Sequence, residues 1–247
     1  MLIVANWKAY VGRIDDAKKL MQAGKKIMRS ADHTVVLAPP APFVGAFAIK
    51  NTSSISFAAQ DVSASHGGAL TGESTAQAYA ASGASYAIIG HSERRAAGDT
   101  DEIVAQKLTQ ALAAGLTPIL CVGEHERDRD GRYLTYVREE ITSAFASLTQ
   151  KERARIIIAY EPLWAIGKTA AEAIGPQDLA EMVLYIRKVL AELVSGKTSA
   201  NMLVLYGGSV EPANIRDLAR WARIDGFLIG HASVDESTFI ELAKQLS

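Results

Sequence analysis

The sequence predicts an α/β protein: a single (β/α)8 barrel of eight parallel strands, one domain spanning residues 1–247. Three observations carry this expectation. Short β-branched or aliphatic runs recur eight times, helix-period segments fill the spaces between them, and no composition break or linker divides the chain.

The strand candidates, in order, are 2–7 (LIVANW), 34–39 (TVVLAP), 55–60 (ISFAAQ) and 86–90 (YAIIG), then 117–122 (TPILCV), 155–160 (RIIIAY), 202–206 (MLVLY) and 226–230 (GFLIG). Each is nearly continuous in apolar residues, as parallel strands are when both faces are covered. The spacers carry helical patterns such as DDAKKLMQAGKKIM, DEIVAQKLTQALAAG and PQDLAEMVLYIRKVLAELV. The final helix is expected to open on Ser-x-x-Glu at 233–236, the pattern of a capping box. A doubly wound open sheet is the alternative, but it usually has fewer units and polar-patterned edge strands. One connection departs from the repeat. Residues 61–75 (DVSASHGGALTGEST) are long, polar and glycine-rich, the character of a functional or partner-binding loop.

Composition narrows the function. Of 247 residues, 49% are hydrophobic and 21% charged, enough apolar material for a large core. The formal net charge of -1 gives no general electrostatic case for nucleic acid or an anionic membrane, although a local anion site stays open. One cysteine, Cys121, excludes an intrachain disulfide and fits a reducing compartment. The segment MLIVANWKAY lacks the build of a secretory signal, and no apolar run reaches membrane-span length. The expectation is a soluble cytoplasmic protein.

In a barrel of this kind the chemistry sits at the C-terminal ends of the strands. Those ends carry Asn6 and Lys8, Gln60, His91, Glu124, Glu161, then YGGSV (206–210) and IGHAS (229–233). Lys8 reads as a solvated lysine, a fixed charge for an anionic substrate, or an amine nucleophile. His91 precedes SERR; a helix starting at Ser92 would point its positive end at the ring and disfavour the imidazolium. Glu161 ends a buried strand, where an unpaired carboxylate is costly, so it is either half of an ion pair or a general base beneath the apolar cover of Pro162 and Trp164. Glycines 207, 208 and 230 follow the last two strands, where backbone N–H groups of barrels often hold phosphate. The Gly167-Lys168-Thr169 triplet is no nucleotide loop, because the glycine such a loop needs five positions earlier is Pro162. Nor does the chain carry GxGxxG, GxSxG or a paired Cys/His zinc spacing.

Taken together, ANWK (5–8), GHSERR (90–95), AYEPLWAIG (159–167) and YGGSV (206–210) resemble the triosephosphate isomerase family in order and near-family spacing, over essentially the whole chain. The resemblance implies the TIM barrel fold and the interconversion of dihydroxyacetone phosphate and D-glyceraldehyde 3-phosphate through an enediolate, in glycolysis and gluconeogenesis. It makes Glu161 the base, His91 the neutral electrophile and Lys8 the positive charge, with Asn6 nearby and Glu93 orienting Lys8. It assigns phosphate to the backbone N–H groups of Gly167, Ser209, Gly230 and His231. It makes 162–170 a lid, hinged at Pro162-Leu163-Trp164 and at Lys168-Thr169-Ala170, and it requires no metal or organic cofactor. It also implies a homodimer in which loop 61–75 places Thr71 against the Asn6 and Lys8 region of a second copy.

The chain departs from the family pattern at four places. The lid is two residues shorter, Tyr10 stands where asparagine is common, His231 replaces a glycine, and 94–102 is one residue short. At His231 a positive φ is expected, a strain of about 1 kcal/mol for a non-glycine residue. Two other readings compete: a Schiff-base aldolase using Lys8, and a catalytically silent paralogue that binds the metabolite.

Overall fold

In a computed structural model of the chain, which describes residues 1–30, 33–168 and 172–246 (Ser30 by its backbone alone), the eight expected strands all form. They are β1 (Leu2–Asn6), β2 (Thr34–Ala38), β3 (Ser56–Ala59), β4 (Tyr86–Ile89), β5 (Thr117–Val122), β6 (Ile157–Tyr160), β7 (Val204–Tyr206) and β8 (Gly226–Ile229). Each lies inside the stretch expected from sequence, and most are shorter. The trimmed ends, such as Gln60, Gly90 and Gly230, leave the ladder at the barrel mouth.

Every neighbouring pair is parallel, and β1 pairs with both β2 and β8, which closes the sheet. The seam is in register from Leu2 opposite Gly226 to Ala5 opposite Ile229. A closed parallel sheet buries both faces, so alternate residues enter two separate apolar clusters. Val4, Val36, Ile88, Ile119, Ala159 and Leu228 belong to a small cluster built from strand residues, the barrel interior. Ile3, Leu37, Ile89, Leu120, Ile158 and Phe227 join the larger one shared with the surrounding helices. Near-continuous apolar strands follow from this two-sided burial.

The helices are α1 (Ile14–Ser30), α2 (Ala41–Ala48), α3 (Ala76–Ala81), α4 (Ser92–Ala96), α5 (Asp101–Ala113), α6 (Arg132–Phe145), α7 (Gln150–Arg153), α8 (Pro176–Leu193), α9 (Lys197–Ala200), α10 (Ile215–Trp221) and α11 (Glu236–Gln245). Their starts are set by local chemistry. Thr75 and Thr100 cap α3 and α5 through their hydroxyls, and Thr149 with Glu152 forms a reciprocal capping box on α7. The box expected at Ser233 and Glu236 does not form. Asp235 caps α11, its Oδ1 accepting the Thr238 N–H at 2.8 Å. Ser233 lies in a short 3-10 turn (His231–Ser233), and its hydroxyl donates back to the Gly230 and Ile229 carbonyls.

Loop 61–75 is rooted firmly and exposed at its tip. The Ser63 N–H donates to the Ser74 carbonyl at 2.8 Å, while Lys107 and Arg94 hold Asp61 at 2.7 and 2.9 Å. Between these anchors residues 66–73 lie on the surface, with Leu70 47% exposed. Among the described residues no helix is long and apolar enough to cross a membrane.

Candidate active site

A cavity of about 450 Å³ opens at the C-terminal ends of the strands. Asn6, Lys8, His91, Glu93, Glu161, Gly167, Ser209, Gly230 and His231 all line it. The nine site residues expected from the sequence are therefore brought together from five strand ends. Of the lid expected at 162–170, Thr169 and Ala170 lie outside the described residues.

Lys8 leaves β1 in a left-handed conformation, φ 46°, which a non-glycine side chain adopts only when its surroundings impose it. Here the Asn6 Oδ1 accepts the Lys8 N–H at 3.1 Å, and the Gln60 side-chain amide donates to the carbonyls of Lys8 and Ala38. The twist turns the Lys8 ammonium inward, across Gly230, to Glu93 Oε1 at 2.6 Å. Burial pulls the Glu93 carboxyl upward, but the Lys8 hydrogen bond and charge, with His91 nearby, outweigh it and hold Glu93 below its ordinary value.

His91 caps α4 with its own ring: Nδ1 accepts the Glu93 N–H at 3.2 Å. A ring nitrogen that accepts an amide N–H carries no proton, so this hydrogen bond places the single proton of the imidazole on Nε2. That Nε2 faces the cavity, 3.4 Å from Glu161 Oε1. The start of α4 at Ser92 is the one the sequence suggests.

Glu161 is 2% exposed. Its Oε2 accepts the Ser92 N–H at 3.2 Å, its N–H donates to the Val122 carbonyl, and its methylenes press on a strand-seven glycine. A Cβ at Gly207 would lie 2.8 Å from Glu161 Cγ, and one at Gly123 would lie 1.9 Å from the Glu161 carbonyl oxygen. Both positions need glycine because the Glu161 backbone and side chain pass where a Cβ would stand.

The segment expected to form a lid begins from a fixed root. Glu124, fully buried, accepts the indole N–H of Trp164 at 2.8 Å and the Tyr160 hydroxyl at 2.8 Å, and its carbonyl accepts the Leu163 N–H. Arg127 covers Trp164 and Tyr133 with its guanidinium, 5.5 and 5.2 Å from the ring centres. At the tip, the Ser209 hydroxyl donates to the Ala165 carbonyl at 2.9 Å and accepts the Lys168 N–H at 3.1 Å. One hydroxyl thus bridges the two ends of the shortened tip. Among the described residues no acceptor meets the backbone N–H of Gly167, Ser209, Gly230 or His231, four residues that line the cavity. His231 has no positive φ; its ring packs edge-on against Tyr10, 5.7 Å between centres. The strain expected there falls on Lys8 instead.

Sequence reasoning gave no role to Glu124, Gln60, or a pair behind Glu161. Glu140 on α6 is 3% exposed; its Oε2 accepts the Gly123 N–H at 2.8 Å, and its Oε1 lies 3.3 Å from Arg95 Nε. Burial pushes the Glu140 carboxyl up to about 7 against the pull of Arg95 and the Gly123 N–H, and the charges of Asp101 and Glu161 add to the rise. Cys121, fully buried, has its thiol pushed well up by burial and then by the Glu161 charge, so it stays protonated and inert. Among the described residues no group of three or more His, Cys, Asp or Glu is arranged to hold a metal ion.

A family model described as triosephosphate isomerase matches residues 1–246. Proteins named triosephosphate isomerase are similar over nearly full length. The one from Pelobacter propionicus is 40% identical over 255 residues, covering 98% of this chain and 97% of its own. That from a Roseiflexus species is 38% identical, covering 99% and 97%, and that from Corynebacterium diphtheriae is 35% identical, covering 98% and 95%.

The Glu140 environment predicts a pH dependence of stability. Its carboxyl is raised from 4.5 to about 7 in the folded state, so the native chain holds a proton that the unfolded chain has released between these values. This contribution is fully present below 4.5 and is lost as pH rises through about 7. Denaturant unfolding of wild type and Glu140→Gln at several pH values is expected to show wild type losing stability relative to the variant across this window. The shift corresponds to a loss on the order of 3 kcal/mol. A constant difference would contradict the burial of a titrating carboxyl.

Proposed function

The chain belongs to the triosephosphate isomerase family and interconverts dihydroxyacetone phosphate and D-glyceraldehyde 3-phosphate, and we propose that Glu161, His91 and Lys8 carry that reaction. The observation that supports these roles is their convergence in one cavity that is also lined by four residues whose backbone N–H groups meet no acceptor among the described residues.

Each turnover needs a proton removed from one carbon and returned to its neighbour. Glu161 takes the first proton; its carboxylate leaves the Ser92 N–H and moves over the bound substrate, still dry and positioned by Gly207. As the C–H bond breaks, negative charge grows on the carbonyl oxygen. The Nε2–H of His91 and the Lys8 ammonium meet that charge, and one such preorganised donor contributes roughly 10²–10³ in rate. His91 then passes its proton between the two oxygens, and Glu161 returns the carbon proton to the adjacent carbon. Glu93 is a positioning residue, fixing Lys8 through the 2.6 Å contact and His91 through its backbone N–H. One substrate carbon is oxidised as its neighbour is reduced, so no outside oxidant or reductant is consumed, and the substrate carbonyl is itself the electron sink.

Phosphate is held by the N–H groups of Gly167, Ser209, Gly230 and His231, with Lys8 supplying charge and Asn6 fixing Lys8. The lid excludes water from an intermediate prone to lose phosphate. With two residues fewer, its tip is supported by the Ser209 bridge from Ala165 to Lys168. The reaction runs in the cytoplasm, a reading supported by one cysteine kept as a buried free thiol.

The active unit is a homodimer. The exposed loop 61–75 carries Leu70 and Thr71 at its tip, and Tyr10 and Ile14, 61% and 40% exposed, flank the Lys8 turn on the same chain. Apolar side chains exposed on both are explained if the loop of one copy covers the Lys8 turn of another.

Two measurements test this reading. Glu161→Asp withdraws the carboxylate by one methylene and is expected to lower kcat by about 10²–10³, with an unchanged circular dichroism spectrum. Near-wild-type kcat would remove Glu161 from the role of base. Mass measurement in solution is expected to give twice the 26.4 kDa chain mass, and Thr71→Asp to shift it toward the single chain; a wild-type monomer would overturn the dimer.

A further inference from the structure

Behind Glu161 stands a second buried carboxylate that the isomerisation above does not use. Glu140 and Arg95 face each other there, 3.3 Å apart, along a cavity of about 310 Å³ that also reaches Glu161. Their hydrogen bonds run outward to the backbone after β4, beside His91, and after β5, beside Glu161. Arg95 Nε donates to the carbonyl of Gly90, the residue before His91, at 3.0 Å, and Arg95 Nη1 pairs with Asp101 at 2.7 Å. Glu140 Oε2 takes the N–H of Gly123, the glycine against which the Glu161 carbonyl is pressed. Glu140 Oε1 and Arg95 Nη2 are buried without a hydrogen-bond partner. A salt bridge meant only to stabilise would direct these groups at each other; here Glu140 is spent on backbone, Arg95 on backbone and Asp101, and an electrostatic contact is left between them.

We propose that Glu140 is a positioning residue that braces the β5 end against Glu161 and, by its ionisation, sets how strong a base Glu161 is. This rests on the reading of Glu161 as the base. An ionised Glu140 offsets the charge of Arg95, so Glu161 feels a less positive wall and holds a proton more strongly. A neutral Glu140 leaves Arg95 paired with Asp101 alone, makes the wall more positive and weakens the base. The other groups facing Glu140 come from every element around it. Arg95 on α4 is held cationic: burial works against its charge, and Glu140 and Asp101 overcome it. Asp101 on α5 is bound to Arg95. Cys121 on β5 and Tyr136 on α6 have their pKa values raised by burial and stay neutral, and His125 after β5 sits exposed at the cavity rim. Burial places the Glu140 carboxyl at about 7, so its charge changes within the working range.

The test is the pH profile of kcat at saturating substrate, where ionisation of free substrate does not enter, for wild type, Glu140→Gln and Glu140→Ala. Wild type is expected to rise several-fold through neutrality as Glu140 ionises. Glu140→Gln keeps an oxygen for the Gly123 N–H but no charge; it is expected to stay folded, with KM unchanged, and to lack that rise at the lower plateau. Glu140→Ala loses the brace as well and is expected to fall further in kcat. A Glu140→Gln profile superimposed on wild type, with Glu161→Asp strongly impaired, would overturn this proposal alone. A fully active Glu161→Asp would overturn the base assignment first and this proposal with it.

Discussion

The structure turns on one carboxylate kept dry and only lightly held. Glu161 sits at the end of β6, 2% exposed, with a backbone N–H on one oxygen and a neutral ring nitrogen 3.4 Å from the other. A full ion pair would satisfy that charge better, and would also quench its basicity. Ser92 and His91 instead supply partial charges, enough to keep a buried carboxylate without binding it fast. The rest of the mouth follows from this constraint. Gly207 and Gly123 lack side chains so that Glu161 has its place, Lys8 is turned inward by a strained backbone, and Glu93 takes the ion pair that Glu161 does not.

The same economy shapes the segment proposed as a lid. Its root is fixed through Glu124, which gathers the Tyr160 hydroxyl, the Trp164 indole and the Leu163 N–H on one buried residue. Its tip rests on Ser209, whose hydroxyl serves both as donor and acceptor across Ala165 and Lys168. The N–H groups of Gly167, Ser209, Gly230 and His231 meet no acceptor among the described residues.

Much of this was legible in the sequence. The barrel could be read because strands covered on both faces show as apolar runs, eight times over, and the site because those runs end in polar side chains that a barrel must bring to one mouth. The start of α4 at Ser92, just after His91, followed from the SERR segment, whereas the ring's own capping of that helix did not. Other features were not legible. Ser233 looked like a cap, but its hydroxyl is taken by carbonyls of the turn behind it and Asp235 does the work. Strain was expected at His231, whereas at the mouth it is Lys8 that takes a left-handed φ, since what demands it is the distant Gln60 clamp on the Lys8 carbonyl. Glu140 and Arg95 lie on helices, 45 residues apart in sequence, and no local pattern marks a carboxylate that folds inward to meet the backbone of Gly123.

The central claim is that Glu161 itself carries the proton between the two carbons. Solvent exchange at those carbons tests it most directly. In D2O, wild-type protein is expected to place deuterium on the carbon beside the carbonyl of recovered triose phosphate. Glu161→Gln is expected to bind the same substrate and leave its carbon-bound hydrogen in place. Deuterium entering substrate at a comparable rate in Glu161→Gln would contradict the account.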